Sequence, residues 1–281
     1  MRHVLLALSA LSAAASAAAA QHNETPAGVA VLEQVYQRYA HTRFRTVSFL
    51  QKTTFPDGRV EWWYEAESIP GKARVDIAPF ENRNASIFRG DSAYVWRNGE
   101  LTRRPGPLAA TMWTLMDMYA VPPAETAAAL RRRNFDLSKV HEKIHEGRPV
   151  IVIGAHEGDT TSAQFWLDKE RLYTVKMIVP TPAGRRVTDV SKHTFQNGGW
   201  IEGQIVVFIN GNMTLHEEYH DIRTNVTLPP DFFGPDEYRT PHWTVSHPRT
   251  SESAAPLARA ARFPTPLHNA TADRDRGVAR S

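Results

Sequence analysis

Between Phe44 and Arg223, turn residues interrupt the chain at intervals too short for long helices, which leaves short strands as its main material. Phe44–Thr54 carries the β-formers Val47, Phe49 and Thr53 and ends at Pro56-Asp57-Gly58. Glu61–Ile69 is rich in aromatics and stops at Pro70-Gly71, and Ala73, Val75 and Ile77 then alternate with Lys72, Arg74 and Asp76. That alternation marks a half-buried strand. Ile87-Phe88 and Ala93–Trp96 follow, the second closed by Asn98-Gly99. The rhythm returns in Val150–Gly154, Ala163–Leu167, Leu172–Val179, Val187–Phe195, Ile201–Ile209 and Met213–Arg223. Asn210-Gly211 is a two-residue hairpin signal, since both residues tolerate positive φ.

Helical pattern is confined to three places. Pro26 can open a helix in which Val31, Leu32, Val35, Tyr36 and Tyr39 recur on one face, with Glu33, Gln34, Gln37 and Arg38 opposite. Thr111–Tyr119 is apolar and rich in large flexible side chains. Pro122-Pro123 separates it from the alanine-rich Ala124–Arg133, whose helix propensity is high. The plan is therefore an α+β domain: a large, curved antiparallel sheet with a few covering helices. Residues beyond about Trp243 are polar, proline-dotted and without periodicity, which predicts a disordered tail over 244–281.

The first residues have their own logic. Met1-Arg2-His3, an apolar run from Val4 to Leu11 and Ala18-Ala19-Ala20 form the three parts of a secretory signal. The expected division is a signal peptide over 1–20 cleaved after Ala20, a folded domain over 21–243 and the tail. The apolar run is too short to span a bilayer. An exported chain with no cysteine must be held by its core rather than by disulfides, which fits a periplasmic location and leaves no residue for a lipid anchor. Removing Arg2, and the six arginines and three acids of Thr244–Ser281, from 33 basic and 30 acidic residues leaves 26 and 27. The folded part is close to neutral and offers no basic face for nucleic acid.

Two segments match His-Glu-x-x-His: His141–His145 and His216–His220. On a helix the two histidines of that motif can share a zinc ion, with the glutamate as general base. On a strand they lie four residues, roughly 13 Å, apart and cannot. The second match follows an Asn-Gly turn and reads as a strand. The first fits a short helix stopped by Gly147, but Val140, Glu142 and Ile144 also alternate as in a hairpin. The chain has no Gly-x-Ser-x-Gly elbow, phosphate-binding glycine loop or thiol. No cofactor is expected. Asp159, Asp168 and Glu170 sit at turn positions as solvated carboxylates. Trp62, Trp63 and Tyr64 read either as core or as a stacking platform.

What remains is apolar surface and its placement. Met112, Trp113, Leu115, Met116 and Met118 lie in a helix that either closes an ordinary core or lids a cavity under the sheet, and methionine adapts to irregular apolar shapes. Several ordered pieces then resemble the outer-membrane lipoprotein carrier and sorting proteins (LolA/LolB-like). They are Phe49-Leu50-Gln51 after an amphipathic helix, Asp57-Gly58, Gly71–Asp76, Arg89–Trp96, Gly147–Val150 and Gln164–Glu170. The resemblance spans roughly Val29 to Tyr238. It implies a half-open antiparallel barrel whose concave apolar face is lidded by helices and holds the acyl chains of lipids or lipoproteins without catalysis. An inner-membrane transporter and an outer-membrane acceptor are the partners it implies for a monomeric carrier. On that basis Trp62, Tyr64, Met112, Trp113, Leu115, Met116 and Met118 are expected near the ligand, and Arg74 is expected to latch the lid, although no proline follows it as in the carriers. Two other classes remain: an envelope sensor or scaffold binding a protein partner on the same fold, and a zinc hydrolase.

Overall fold

The computed structural model describes residues 25–90, 92–105 and 115–239. The expected signal peptide (1–20) and tail (244–281), and the lid residues Met112 and Trp113, lie outside the described residues. A helix, α1 (Ala27–Tyr39), leads into six strands: β1 (Thr46–Thr54), β2 (Val60–Ser68), β3 (Lys72–Ile77), β4 (Asn84–Arg89), β5 (Ser92–Arg97) and β6 (Glu100–Pro105). Residues 115–117 are helical, and a second helix, α2 (Pro123–Arg131), follows. The chain then runs through β7 (Asp136–His145), β8 (Arg148–Gly154), β9 (Gln164–Asp168), β10 (Thr174–Thr181) and β11 (Gly184–Ser191). It ends with the small hairpin β12 (Thr194–Gln196) and β13 (Gly199–Ile201), then β14 (Gln204–Ile209) and β15 (Asn212–Thr224).

Thirteen strands form one antiparallel sheet in the order β6-β5-β4-β3-β2-β1-β15-β14-β11-β10-β9-β8-β7. The chain enters at the middle with β1 and meanders out to the edge at β6. It crosses to the opposite edge at β7 and walks back to finish at β15, beside β1. The sheet is curved and does not close, and the helices are few, as the strand rhythm predicts. The turns follow the residues that mark them. Asn98-Gly99 and Asn210-Gly211 both have positive φ at the two central positions, the geometry whose twist matches a hairpin.

Two long predicted strands are each broken. Val187–Phe195 splits because Lys192 adopts a left-handed conformation; β11 ends there, and β12 and β13 pair separately. Ile201–Ile209 splits at Gly203, whose N–H donates to Ser191 O at 3.1 Å while its carbonyl accepts from Tyr219 N. Both matches to His-Glu-x-x-His lie within strands, β7 and β15, so each histidine pair is extended. Asp168, expected in solvent, is 1 % exposed and accepts from Arg148 Nε at 2.7 Å.

The main core lies where α1, α2 and residues 115–119 cover one face of β7–β10. Val31, Leu32 and Val35 of α1 meet Leu115, Met118, Leu130, Phe135, Ile153 and Phe165 there. Each such buried side chain contributes about 1.5–3 kcal/mol. The C-terminal end of α1 is pinned by Arg38 and Tyr39, which donate to the carbonyls of Glu170 and Arg171. Gly28 sets how close the helix comes: a Cβ there would meet Leu137 O at 2.7 Å and Ile153 Cγ2 at 3.0 Å. Gly28→Val is therefore expected to push α1 off β7 and destabilise the domain by about 1–3 kcal/mol, read as a lower midpoint in urea unfolding.

Candidate functional site

The two faces of β2 differ in what they meet. Trp63, Glu65 and Glu67 line a cavity of about 190 Å³ on one face of the sheet. Trp62, Tyr64 and Ala66 alternate onto the other face. Register carries the cavity wall across the sheet. β1 contributes Gln51 opposite Trp63, β15 contributes Glu217 and Tyr219, β14 Ile205 and Val207, and β11 Arg186 and Thr188. Val75 of β3 and Phe88 of β4 extend the apolar wall on the other side, and Met116 reaches in from the crossover segment.

The cavity is less apolar than the sequence suggests. Glu65 and Glu67 are 9 % and 3 % exposed. Burial strips water from the Glu67 carboxyl and, with the neighbouring charge of Glu202, pushes its pKa to about 8 in spite of Arg43. Burial and the charges of Glu217, Glu67 and Glu202 hold Glu65 well above the usual range. Glu217 is raised to about 7 by burial, although Tyr219 donates to it at 3.2 Å and Arg186 lies near. Glu202 is also raised by burial. Glu67, at about 8, keeps its proton at neutral pH and can then act as a hydrogen-bond donor.

The crossover segment over the cavity is tied at three points. Gly71 N–H donates to Asp117 Oδ1 at 3.3 Å, and burial lifts the Asp117 pKa to about 6. The Arg43 guanidinium sits 4.3 Å from the centre of the Tyr119 ring and 4.4 Å from that of Phe44. Its Nη1 donates to Trp200 O at 2.6 Å. Tyr39 meets Tyr119 edge-on at 5.5 Å. A smaller cavity of about 30 Å³ adjoins, shared by Met116, Arg43, Tyr119, His193 and Glu202.

The residues expected near a ligand are distributed differently. Of the described ones, Met116 lines the cavity, while Leu115 and Met118 are 3 % and 1 % exposed in the main core. Both anchor the segment in the core, and Leu115 also lines the smaller cavity. Trp62 packs against His220 on the other face, with ring centres 5.8 Å apart. Tyr64 packs on a cluster with Ala66, Ala85, Ile87, Trp96 and Phe232. Trp62 and Tyr64 therefore lie on the face of β2 opposite Trp63, and aromatics occupy both alternating sets.

Arg74 likewise lies on that outer face. It is fully buried and paired to Asp76 at 2.8 Å, and donates to the carbonyls of Phe232 and Tyr238 at 3.1 and 3.3 Å. These contacts hold the segment after β15, where Tyr238 stacks on Trp96 at 4.2 Å. The described contact between a buried arginine and the lid segment belongs to Arg43. The signal missed in the sequence is the odd-numbered set Trp63, Glu65, Glu67.

No family model matches the sequence, and no curated protein sequence matches it. Solved structures do share the fold. An outer-membrane lipoprotein-sorting protein domain from Vibrio parahaemolyticus superposes with a TM-score of 0.55 at 10 % identity, over 75 % of this chain and 98 % of that one. A DUF1329 family protein from Desulfovibrio piger gives 0.50 at 12 % identity, over 74 % and 98 %. A LolA superfamily protein from Nitrosomonas europaea gives 0.47 at 14 % identity, over 75 % and 99 %. The fold is thus the one shared with the lipoprotein-sorting domain and the DUF1329 protein, a half-open antiparallel sheet with covering helices. Among the described residues no helix is long and apolar enough to cross a membrane.

The buried carboxyls give a signed pH dependence. A carboxyl whose folded pKa is raised keeps its proton in the native state after the unfolded chain has lost its own, so stability falls as pH rises towards the folded value. His193, lowered to about 4 by burial, opposes this only below its ordinary pKa of about 6.5. Between about pH 6.5 and 8 the stability in urea is expected to fall. Glu67→Gln should flatten that slope and stabilise the protein at pH 8 by at least about 1.4 kcal/mol, the worth of one pKa unit.

Proposed function

We propose that this is a periplasmic lipid- or lipoprotein-binding protein that holds an acyl chain in the concave cavity and acts without catalysis. The observation that carries the reading is the cavity of about 190 Å³, with Trp63, Val75, Phe88, Ile205 and Val207 on its walls and Met116 above it. It lies on one face of an unclosed sheet. Each methylene placed against such a wall contributes about 0.8 kcal/mol, so an alkyl chain of modest length binds usefully. The similarity of the fold to a lipoprotein-sorting domain supports the same class of ligand.

On this reading the signal over 1–20 exports the chain and is cleaved after Ala20. The folded domain over 21–243 then receives cargo from an inner-membrane transporter, or hands it to an outer-membrane acceptor. Release needs a lid that is stable when empty. Arg43 against Tyr119, and Asp117 on the Gly71 N–H, supply that stability without filling the cavity.

Native mass spectrometry with lipid extraction on protein purified from the periplasm tests the proposal. Wild-type protein is expected to retain lipid or lipoprotein. Met116→Glu should lose it with little change in melting temperature, because Met116 is only half-buried. Equal lipid content in the two proteins would overturn the cavity assignment.

A further inference from the structure

The wall of the cavity carries more acid than an acyl chain needs. Glu65, Glu67 and Glu217 line it against one basic side chain, Arg186. Beyond them, Glu202 and Asp117 add negative charge and Arg43 positive charge to the field these groups feel. The acids are not gathered at a point. Glu65 and Glu67 are on β2 and Glu217 is on β15, with β1 between them. Two strand spacings separate the sets, about 9–10 Å. A single metal ion cannot bridge that span, whereas an organic cation lying along the cavity can.

A second observation is independent of the acids. Thr188 is completely buried, lines the same cavity, and its Oγ1 has no hydrogen-bond partner among the described residues. A buried hydroxyl left unpaired costs about 1–3 kcal/mol, and a ligand polar group in the cavity would satisfy it. The rest of the wall supplies the other half of the ligand's chemistry. Trp63, Val75, Phe88, Ile205 and Val207 are apolar, and Trp63 and Tyr219 add aromatic side chains, a residue type that attracts cations.

From the spread of acids, the unpaired Thr188 hydroxyl and the apolar wall, we infer that the cavity selects a cationic amphiphile: an alkyl chain bearing a primary ammonium group. The inference rests on the acyl-binding reading for the alkyl chain and adds the charge of the head. The ammonium sits among Glu65, Glu67 and Glu217, and the chain lies on the apolar wall. Its charge reverses what burial does to the acids. Carboxyls that keep their protons in the empty cavity ionise beside the ammonium and release protons to solvent on binding.

The test uses the mature full chain and calorimetric titration at neutral pH with sub-micellar dodecylamine, dodecanoate, dodecyl maltoside and butylamine. Each titration is run in two buffers of different ionisation enthalpy. Dodecylamine is expected to bind at least about tenfold tighter than dodecyl maltoside or dodecanoate, with net proton release. The double variant Glu65→Gln/Glu67→Gln should lose that preference and the proton release, while binding of dodecyl maltoside stays within about twofold. The unchanged maltoside binding shows that the variant is folded. If the three dodecyl compounds bind equally, the cation inference fails and the acyl reading stands. Butylamine binding as tightly as dodecylamine would overturn the alkyl half and leave the acidic site. If none binds, both fail.

Discussion

Everything in this fold hangs on the pairing of β1 with β15. These strands open and close the sheet's path, and the register from Val47↔Thr224 to Thr54↔His216 joins two meanders that otherwise share no hydrogen bonds within the sheet. The contact is long-range: Lys52 Nζ meets Glu218 Oε2 at 2.9 Å across 166 residues of sequence. Closing so long a loop is entropically unfavourable but grows only slowly with length, and a nine-residue β1 paired on both sides repays it. The same register builds the floor of the cavity. Gln51 faces Trp63 on one side and Tyr219 on the other, and Thr53 lies opposite Glu217. The cavity is therefore a product of the junction between the two meanders and belongs to neither alone.

A floor built on that junction has to accommodate polar groups, and it does so in pairs. Gln51 Nε2 donates to Thr53 Oγ1 at 2.8 Å, and Tyr219, stacked on Phe49 at 4.3 Å, donates to Glu217. The neighbouring acids resolve their burial by keeping protons, since a neutral carboxyl loses far less on leaving water than a carboxylate does. The crossover segment over the cavity follows the same economy. It rests on aromatic and backbone contacts, with Arg43 stacked between rings and donating to a carbonyl.

Much of the fold was legible because strands and turns are local. Period-two runs, Asn-Gly pairs and the apolar stripe of α1 located most of the strands and the first helix. The breaks at Lys192 and Gly203 were not legible: the first is a left-handed turn of a residue that rarely adopts one, and the second goes with Gly203's bonds to Ser191 and Tyr219. The faces of β2 were harder still. Trp62-Trp63-Tyr64-Glu65-Ala66-Glu67 places an aromatic in both alternating sets, so the pattern does not say which set lines the cavity. Residues 228–239 bear on it. Phe232, Phe233 and Tyr238 cover the opposite face, yet nothing periodic in their sequence announces a covering role.

That cover explains why the polar groups were moved inward. With Arg74 paired to Asp76 and holding two carbonyls of the covering segment, the outer face of β2–β4 is packed and closed. Tyr64 and Ala66 pack in that cluster and Trp62 against His220, while Trp63, Glu65 and Glu67 line the cavity on the other face. A cavity meant only for hydrocarbon would be better served by leucine at positions 65 and 67, which would bury without desolvating an acid. Retaining glutamates at those positions makes the empty state depend on their staying neutral. Charge on the incoming ligand is the simplest thing to which such a wall can respond, and hydrocarbon alone does not carry it.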